Sequence, residues 1–170
     1  MKDSPSRKWA FRIMATLGAA ILVSAIGAVI MPNGQSRVVQ GVVVGVIDGD
    51  TLILRVDDRE RVCIRLAGLD APEKRQDFWE AAKRSLSDLV FRRPVRVAVV
   101  DVDASGRFVG KVYTADLFVN AEQVGRGMAW GRGRYSRDER LVARQAEARQ
   151  QGKGLWAAAD PVPPWEFRDH

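Results

Sequence analysis

The chain has 170 residues, which is enough for one globular domain with additional terminal segments. Its formal net charge is +6, but residues 1–31 carry half of that excess, so the total charge is only weak support for a polyanionic partner. Its single cysteine, Cys63, has no partner for an intramolecular disulfide, and its single histidine, His170, is the last residue. These counts argue against a zinc site, a serine–histidine triad or a cysteine–histidine dyad.

The N-terminus has the charge pattern of an export or anchor element. Residues 1–12 are basic, and residues 13–31 form an uncharged, largely apolar run. This run is close to the roughly 20 residues that a transmembrane helix needs, and it is long for a signal-peptide core. We therefore expect a membrane anchor, or else a signal peptide that is removed, with a linker at residues 32–37. Because the positive charge precedes the run, the following domain is expected outside the cytoplasm, either anchored or secreted into the periplasm or medium.

Alternation of apolar and polar residues predicts five strands, with a helix between the third and the fourth. The predicted strands occupy residues 38–47, 51–56, 61–66, 95–100 and 108–113. A polar turn at residues 57–60 joins the second and third strands into a hairpin, with Thr51 roughly opposite Leu66. This pairing brings Asp50 and Asp70 to the same end of the hairpin.

Three helices are predicted in the same region. Capping boxes, in which an acidic residue follows three positions after the cap, indicate the starts of the first and third helices. The three helices are predicted to start at Asp77, near Asn120 and at Ser136. Gly152 ends the third helix, as glycine commonly does.

This order of elements fits an OB-fold, an α+β architecture with a five-stranded β-barrel and about three helices. We expect the domain at residues 38–160, preceded by one N-terminal hydrophobic helix. An extended tail containing proline and tryptophan, residues 161–170, is expected to pack back on the domain.

Two carboxylates and an arginine are expected to meet at the end of the hairpin. Residues 46–52 read VIDGDTL, and residues 64–73 read IRLAGLDAPE. Two adjacent carboxylates suit a hard cation such as calcium, which prefers oxygen ligands. Arg65 suits a phosphate, which a guanidinium can bind with two parallel hydrogen bonds. Taken singly, each acidic residue has an ordinary alternative role in a turn.

Taken together and in order, these motifs resemble those of the thermonuclease family, the calcium-dependent staphylococcal nuclease-like enzymes. The resemblance extends from about residue 38 to residue 156 and implies the same OB-fold. It continues through DASGR at residues 103–107, Asn120, GMAW at 127–130, YS at 135–136, AEAR at 146–149 and GLW at 154–156.

The resemblance implies a calcium site. Asp50 and Asp70 match the side-chain ligands, and Ala71 matches the position that supplies a backbone carbonyl; the staphylococcal enzyme has threonine there. Asp48 either orients the ligand residues without touching the cation itself or has only a role in the turn.

The resemblance also implies the catalytic groups. Arg65 and Arg107 match the family's two catalytic arginines, which hold phosphate oxygens in the transition state. Glu73 matches the proposed general base, which either takes a proton from the attacking water or only orients that water.

Substrate contacts are expected from Trp130, Arg132 and Tyr135, which lie near the family's base-contacting region. Trp130 and Tyr135 can stack on nucleobases, and core packing is the alternative for Trp130. Arg132 belongs to an arginine-rich stretch that either follows the phosphate backbone or is a solvated loop. Ala104 and Ser105 replace a lysine and a tyrosine of the staphylococcal enzyme. We expect this difference to affect recognition of a terminal phosphate and not the hydrolytic centre.

The sequence thus predicts a calcium-dependent nuclease that hydrolyses DNA and RNA to leave 3′-phosphate ends. Single-stranded DNA or RNA is the expected substrate, residues 13–31 are the expected membrane contact, and a monomer without a protein partner is expected. The alternative is a non-catalytic, membrane-anchored OB-fold module that binds nucleic acid. A pure binder does not need Asp50, Asp70 and Glu73 together, so the enzyme is favoured.

Overall fold

Five strands close into a barrel in the computed structural model, which describes residues 37–132 and 137–168. The barrel strands are β1 (Arg37–Val46), β2 (Thr51–Arg55), β3 (Arg61–Leu66), β5 (Pro94–Val102) and β6 (Phe108–Tyr113), and a separate ribbon pairs β4 (Leu69–Asp70) with β7 (Trp130–Gly131). The barrel order is β1-β2-β3-β6-β5, in which β3 and β6 are parallel and the other neighbours antiparallel. This confirms the predicted five-stranded barrel.

The hydrophobic helix predicted at residues 13–31 lies outside the described residues. Within the described ranges, every helix is too short or too polar to span a bilayer.

Alternating apolar side chains fill the barrel interior and stabilise it by removing apolar surface from water. The largest fully buried strand side chains are Val43, Leu52, Leu54, Ile64, Leu66, Val97 and Val112. Strand β1 coils across two neighbours, and a Cβ atom at Gly41 would lie 2.2 Å from the carbonyl oxygen of Arg55. Glycine is therefore required where β1 approaches β2 most closely, as its position in the strand predicts.

The β2–β3 hairpin pairs Thr51 with Arg65, one residue away from the predicted partner Leu66. The N–H group of Leu66 instead donates to the carbonyl oxygen of Asp50 at 2.8 Å, just before the chain turns into β4. Opposite residues share a face of an antiparallel pair, so Arg65 lies on the face of Thr51, while Leu52 and Ile64 face the core.

The helices follow the predicted order; the second starts near Asn120 as predicted, whereas the first and third start later than predicted. They are α1 (Trp79–Val90), α2 (Val119–Gly125), α3 (Glu139–Gln150) and α4 (Pro164–Phe167), with a 3₁₀ turn at Gly154–Ala157. Asp77 does not cap α1, because the chain enters the helix through a left-handed residue, Phe78, and a turn closed by the carbonyl of Gln76. Asp138 caps α3, whereas the predicted cap Ser136 lies outside the described residues.

The C-terminal tail is not extended throughout. Pro164 starts the short helix α4, a position where proline costs no hydrogen bond, and both Pro163 and Pro164 are buried. The tail packs on the domain, as predicted.

Candidate active site

Asp50 is held in the turn between β1 and β2. Its N–H group donates to Oδ1 of Asp48 at 3.0 Å, so Asp48 has the turn role that was one of its two predicted alternatives. The Asp50 carboxylate is only 6% exposed and accepts hydrogen bonds from the Thr51 hydroxyl at 2.8 Å and from the N–H of Ala71 at 3.2 Å. These contacts orient the carboxylate towards the neighbouring strand β4.

Helices α1 and α2 pack against this turn. The fully buried Gln123 donates to the carbonyl oxygens of Gly49 at 2.9 Å and Ala82 at 2.8 Å, and it accepts a bond from Ser85. A Cβ atom at Gly49 would lie 2.7 Å from the Cβ atoms of both Ala71 and Ala82. A residue without a side chain is therefore needed for the turn to pack this closely.

Asp70 reaches the same place through the β4–β7 ribbon, in which it pairs with Trp130. It is 2% exposed. The Nη2 atom of Arg65 lies 3.0 Å from Oδ1 of Asp70 and 3.5 Å from Oδ2 of Asp50. One guanidinium nitrogen thus contacts both of the carboxylates that the sequence predicts as metal ligands.

The donor set fits a hard cation. Burial raises the pKa of Asp50 to about 7, against the lowering effect of Arg65, and a bound cation would favour the ionised form. Carboxylate oxygens are the ligands that calcium and magnesium prefer. Among the described residues, no three His, Cys, Asp or Glu side chains group closely enough to hold a metal ion, so a cation here also needs a backbone carbonyl, water or substrate oxygens.

Glu73 lies beyond Pro72, on a loop that Gln76 braces. The N–H of Glu73 donates to Oε1 of Gln76 at 2.9 Å, and Nε2 of Gln76 donates to the carbonyl oxygen of Val162 at 2.6 Å. The Glu73 side chain is 38% exposed, so water and substrate can reach it.

Arg107 is oriented by the turn between β5 and β6. Its Nε donates to Oδ2 of Asp103 at 2.7 Å, and its backbone N–H donates to Oδ1 of the same residue at 3.0 Å. Partial burial opposes ionisation of Asp103, but the bonds from Arg107 hold its pKa below the usual range. Ala104 and Ser105 are exposed in this turn.

These residues share one cleft of about 780 Å³. Five predicted site residues line it: Asp50, Arg65, Ala71, Glu73 and Arg107. Asp70 joins them through Arg65. The cleft therefore combines buried carboxylates, two oriented arginines and an accessible glutamate, which together suit binding and hydrolysis of a phosphodiester.

The two described residues that are predicted to contact substrate, Trp130 and Arg132, both pack against Trp165. Trp130 is 9% exposed and packs against Trp156, with ring centroids 4.3 Å apart, which agrees with the core-packing alternative. The Arg132 side chain is exposed, and its Nη1 lies 3.1 Å from Oδ2 of Asp70. Tyr135 lies outside the described residues, so its stacking on a base stays a prediction.

Sequence reasoning did not identify Arg168 as a residue of this cleft. Arg168, at the end of α4, donates from Nη2 to Oδ2 of Asp70 at 2.7 Å and also contacts Glu73. A basic residue shortly after two prolines and a tryptophan is the only signal for it in the sequence.

Comparison with known proteins places the chain in a family. The family model described as staphylococcal nuclease homologue matches residues 63–158. An uncharacterized endonuclease of Escherichia coli O157:H7 is 44% identical over 131 residues, covering 76% of this chain and 85% of its own length. An uncharacterized endonuclease of Haemophilus influenzae is 40% identical over 126 residues, covering 74% of this chain and 71% of its own length.

A micrococcal nuclease of Shigella flexneri is 37% identical over 140 residues, covering 76% of this chain and 80% of its own length. These matches confirm the resemblance that the motifs indicated. The chain therefore belongs to the staphylococcal nuclease homologue family, a family of nuclease hydrolases.

Proposed function

We propose that the chain is a calcium-dependent nuclease that hydrolyses phosphodiester bonds in DNA and RNA and leaves 3′-phosphate ends. The observation that carries the proposal is the single cleft in which Arg65 contacts both buried aspartates while Glu73 and Arg107 line the same space. Family membership supports the nuclease class. Single-stranded DNA or RNA is the proposed substrate, and the proposed working unit is a monomer.

In this function the two arginines bind the phosphate. Arg65 is oriented by Asp50 and Asp70, and Arg107 by Asp103, so neither side chain must reorganise fully when substrate enters. Their positive charge neutralises the charge that develops on the equatorial phosphate oxygens in the transition state.

Glu73 is the proposed general base. Its exposed carboxylate takes the proton from a water molecule that attacks phosphorus, and the 5′-oxygen leaves, so the phosphate stays on the 3′ end of the other product. A positioned base contributes a factor of about 10²–10⁴ to such reactions. The brace from Gln76 holds the backbone of this residue in place.

The proposed cation ligands are the carboxylates of Asp50 and Asp70 and the carbonyl of Ala71. When bound, a cation supplies positive charge to a phosphate oxygen and to the attacking water. Calcium tolerates irregular shells of oxygen ligands, whereas magnesium demands an octahedral shell, so two carboxylates and a carbonyl favour calcium.

The test uses the full chain in detergent, incubated with single-stranded DNA and with RNA. We expect cleavage in calcium, none in excess chelator, and recovery when calcium is restored, with products that need a phosphatase before a polymerase can extend them. Undiminished cleavage in excess chelator would contradict the metal assignment. Binding without cleavage in every condition would support the alternative binding module.

A further inference from the structure

The C-terminal segment, residues 161–168, packs on the domain and contributes Arg168 to the lining of the cleft. Gln76 holds it through the 2.6 Å bond to the carbonyl of Val162, and the same glutamine accepts the N–H of Glu73. Trp165 packs edge-on against Trp130, with centroids 5.7 Å apart. The position of the segment is therefore tied directly to the loop that carries Glu73.

This packing brings Arg168 into contact with both Asp70 and Glu73. Its Nη2 lies 2.7 Å from Oδ2 of Asp70, and its Nη1 lies 3.3 Å from Oδ1. Nη1 also contacts Glu73, and the bond to Asp70 is the largest influence that raises the pKa of Arg168. Arg168 thus pairs with a proposed cation ligand and with the proposed base at once.

With Arg168 in place, the hydrogen-bonding capacity of Asp70 is full. Oδ1 accepts from Arg65 and Arg168, and Oδ2 accepts from Arg132 and Arg168. A carboxylate has about four lone-pair sites, and these four bonds use them. A cation can bind Asp70 only if at least one arginine nitrogen leaves.

Arg168 is the arginine that blocks the approach of a cation to Asp70. It lines the cleft together with Asp50 and Ala71, and it also lines the adjacent pocket that contains Asp70, whereas Arg132 lines only that second pocket. Arg65 also lines the cleft, but it contacts both aspartates and lies on a barrel strand. The Arg168 side chain is 39% exposed, and partly exposed ion pairs are weak, so it can withdraw into solvent at small cost.

We propose that Arg168 competes with the divalent cation for Asp70 and thereby sets the cation concentration at which the active site fills. This inference rests on the cation site of the proposed function. Because Arg168 contacts Asp70 and Glu73 together, its withdrawal when a cation binds also frees Glu73. Filling of the cation site and release of the base are then one event.

The experiment measures calcium binding directly, by isothermal titration calorimetry of the full chain in detergent without nucleic acid. In Arg168→Gln we expect calcium to bind more tightly, by about three- to tenfold, since the competing contact is a partly exposed ion pair. Arg168→Lys keeps the charge but loses the bidentate contact, so its affinity for calcium should lie between that of the parent and that of Arg168→Gln. The matched control is Arg126→Gln, because Arg126 is equally exposed and ion-paired with Glu122.

Tighter calcium binding in Arg168→Gln distinguishes loss of a competitor for Asp70 from loss of folded structure, because a disrupted structure would bind calcium more weakly. The calcium-induced rise in melting temperature should likewise be larger in Arg168→Gln than in the parent or the control. Equal or weaker affinity in Arg168→Gln overturns the inference while leaving the cation site intact. Absence of calcium binding in the parent and in all variants overturns the cation site of the proposed function itself.

Discussion

Arg65 has one orientation because two buried carboxylates hold the same nitrogen of its guanidinium. A planar guanidinium held in this way presents its other donors in a fixed fork, which matches the geometry of a phosphate. Arg107 is fixed in a comparable way by Asp103, which lies in the same β5–β6 turn. At the scale of single residues, the site therefore depends on shape as well as on charge.

Replacing either arginine by lysine tests this dependence. In Arg65→Lys and Arg107→Lys the positive charge stays but the fork is lost, so turnover should fall roughly tenfold or more. The measurement is the turnover number on single-stranded DNA at saturating calcium, with Arg61→Lys on the exposed end of β3 as the control. Parent rates for both variants would remove the transition-state role of these arginines.

Glu73 provides a test of catalysis as distinct from binding. Glu73→Gln keeps the shape of the side chain but removes the base, so turnover should fall by about 10² while substrate affinity is retained. Rates and binding are compared with those of Glu60→Gln, a change on the exposed β2–β3 turn. If Glu73→Gln cleaves at the parent rate, Glu73 is only a loop residue.

At the scale of elements, the turn between β1 and β2 connects the barrel to the helices. Gln123 of α2 bonds both the turn and α1, and Gly49 lets the turn lie against Ala71 and Ala82. Because Ala71 donates to Asp50, any shift of this turn moves the site as well as the packing.

Gly49→Ala should therefore reduce stability and activity together. Its Cβ atom would meet two other Cβ atoms at 2.7 Å, an overpacking that costs about 1–3 kcal/mol. Gly45→Ala in β1 is the control, because its nearest heavy atom lies at 3.3 Å and is the end of the Ile53 side chain. Urea unfolding and turnover measure the two effects, and equal stability of the two variants would contradict the packing argument.

At the scale of the whole molecule, we propose that the domain is exported and anchored. The support is the sequence pattern alone, basic residues 1–12 followed by the apolar run at residues 13–31. Calcium is more abundant outside a cell, and a nuclease kept there does not reach the genome of its own cell.

Protease added to intact spheroplasts should digest the domain if this placement is correct, because the positive charge holds the N-terminus inside. A cytoplasmic protein serves as the control and must stay intact until the cells are lysed. Full protection of the domain would contradict export. Release of a shortened soluble protein would show that residues 13–31 are a cleaved signal instead of an anchor.

Much of the fold and half of the cleft can be predicted because their signals are local. Side-chain alternation places the barrel strands, and the VIDGDTL and IRLAGLDAPE segments carry Asp50 in the β1–β2 turn, Arg65 on β3 and Asp70 on β4. Helix starts were less predictable, since Asp77 and Ser136 have good capping chemistry but α1 follows a left-handed Phe78 and α3 is capped by Asp138.

The sequence by itself determined the barrel, because the alternation of side chains encodes its strands, and the hairpin spacing predicted that Asp50 and Asp70 meet; the roles of the two arginines followed from the family resemblance. Only the tertiary structure decided that Gln123 supports the Asp50 turn and that Arg168 reaches Asp70 across 98 positions of the chain. Contacts over such separations depend on how completed elements pack, and no local pattern of residues records that packing.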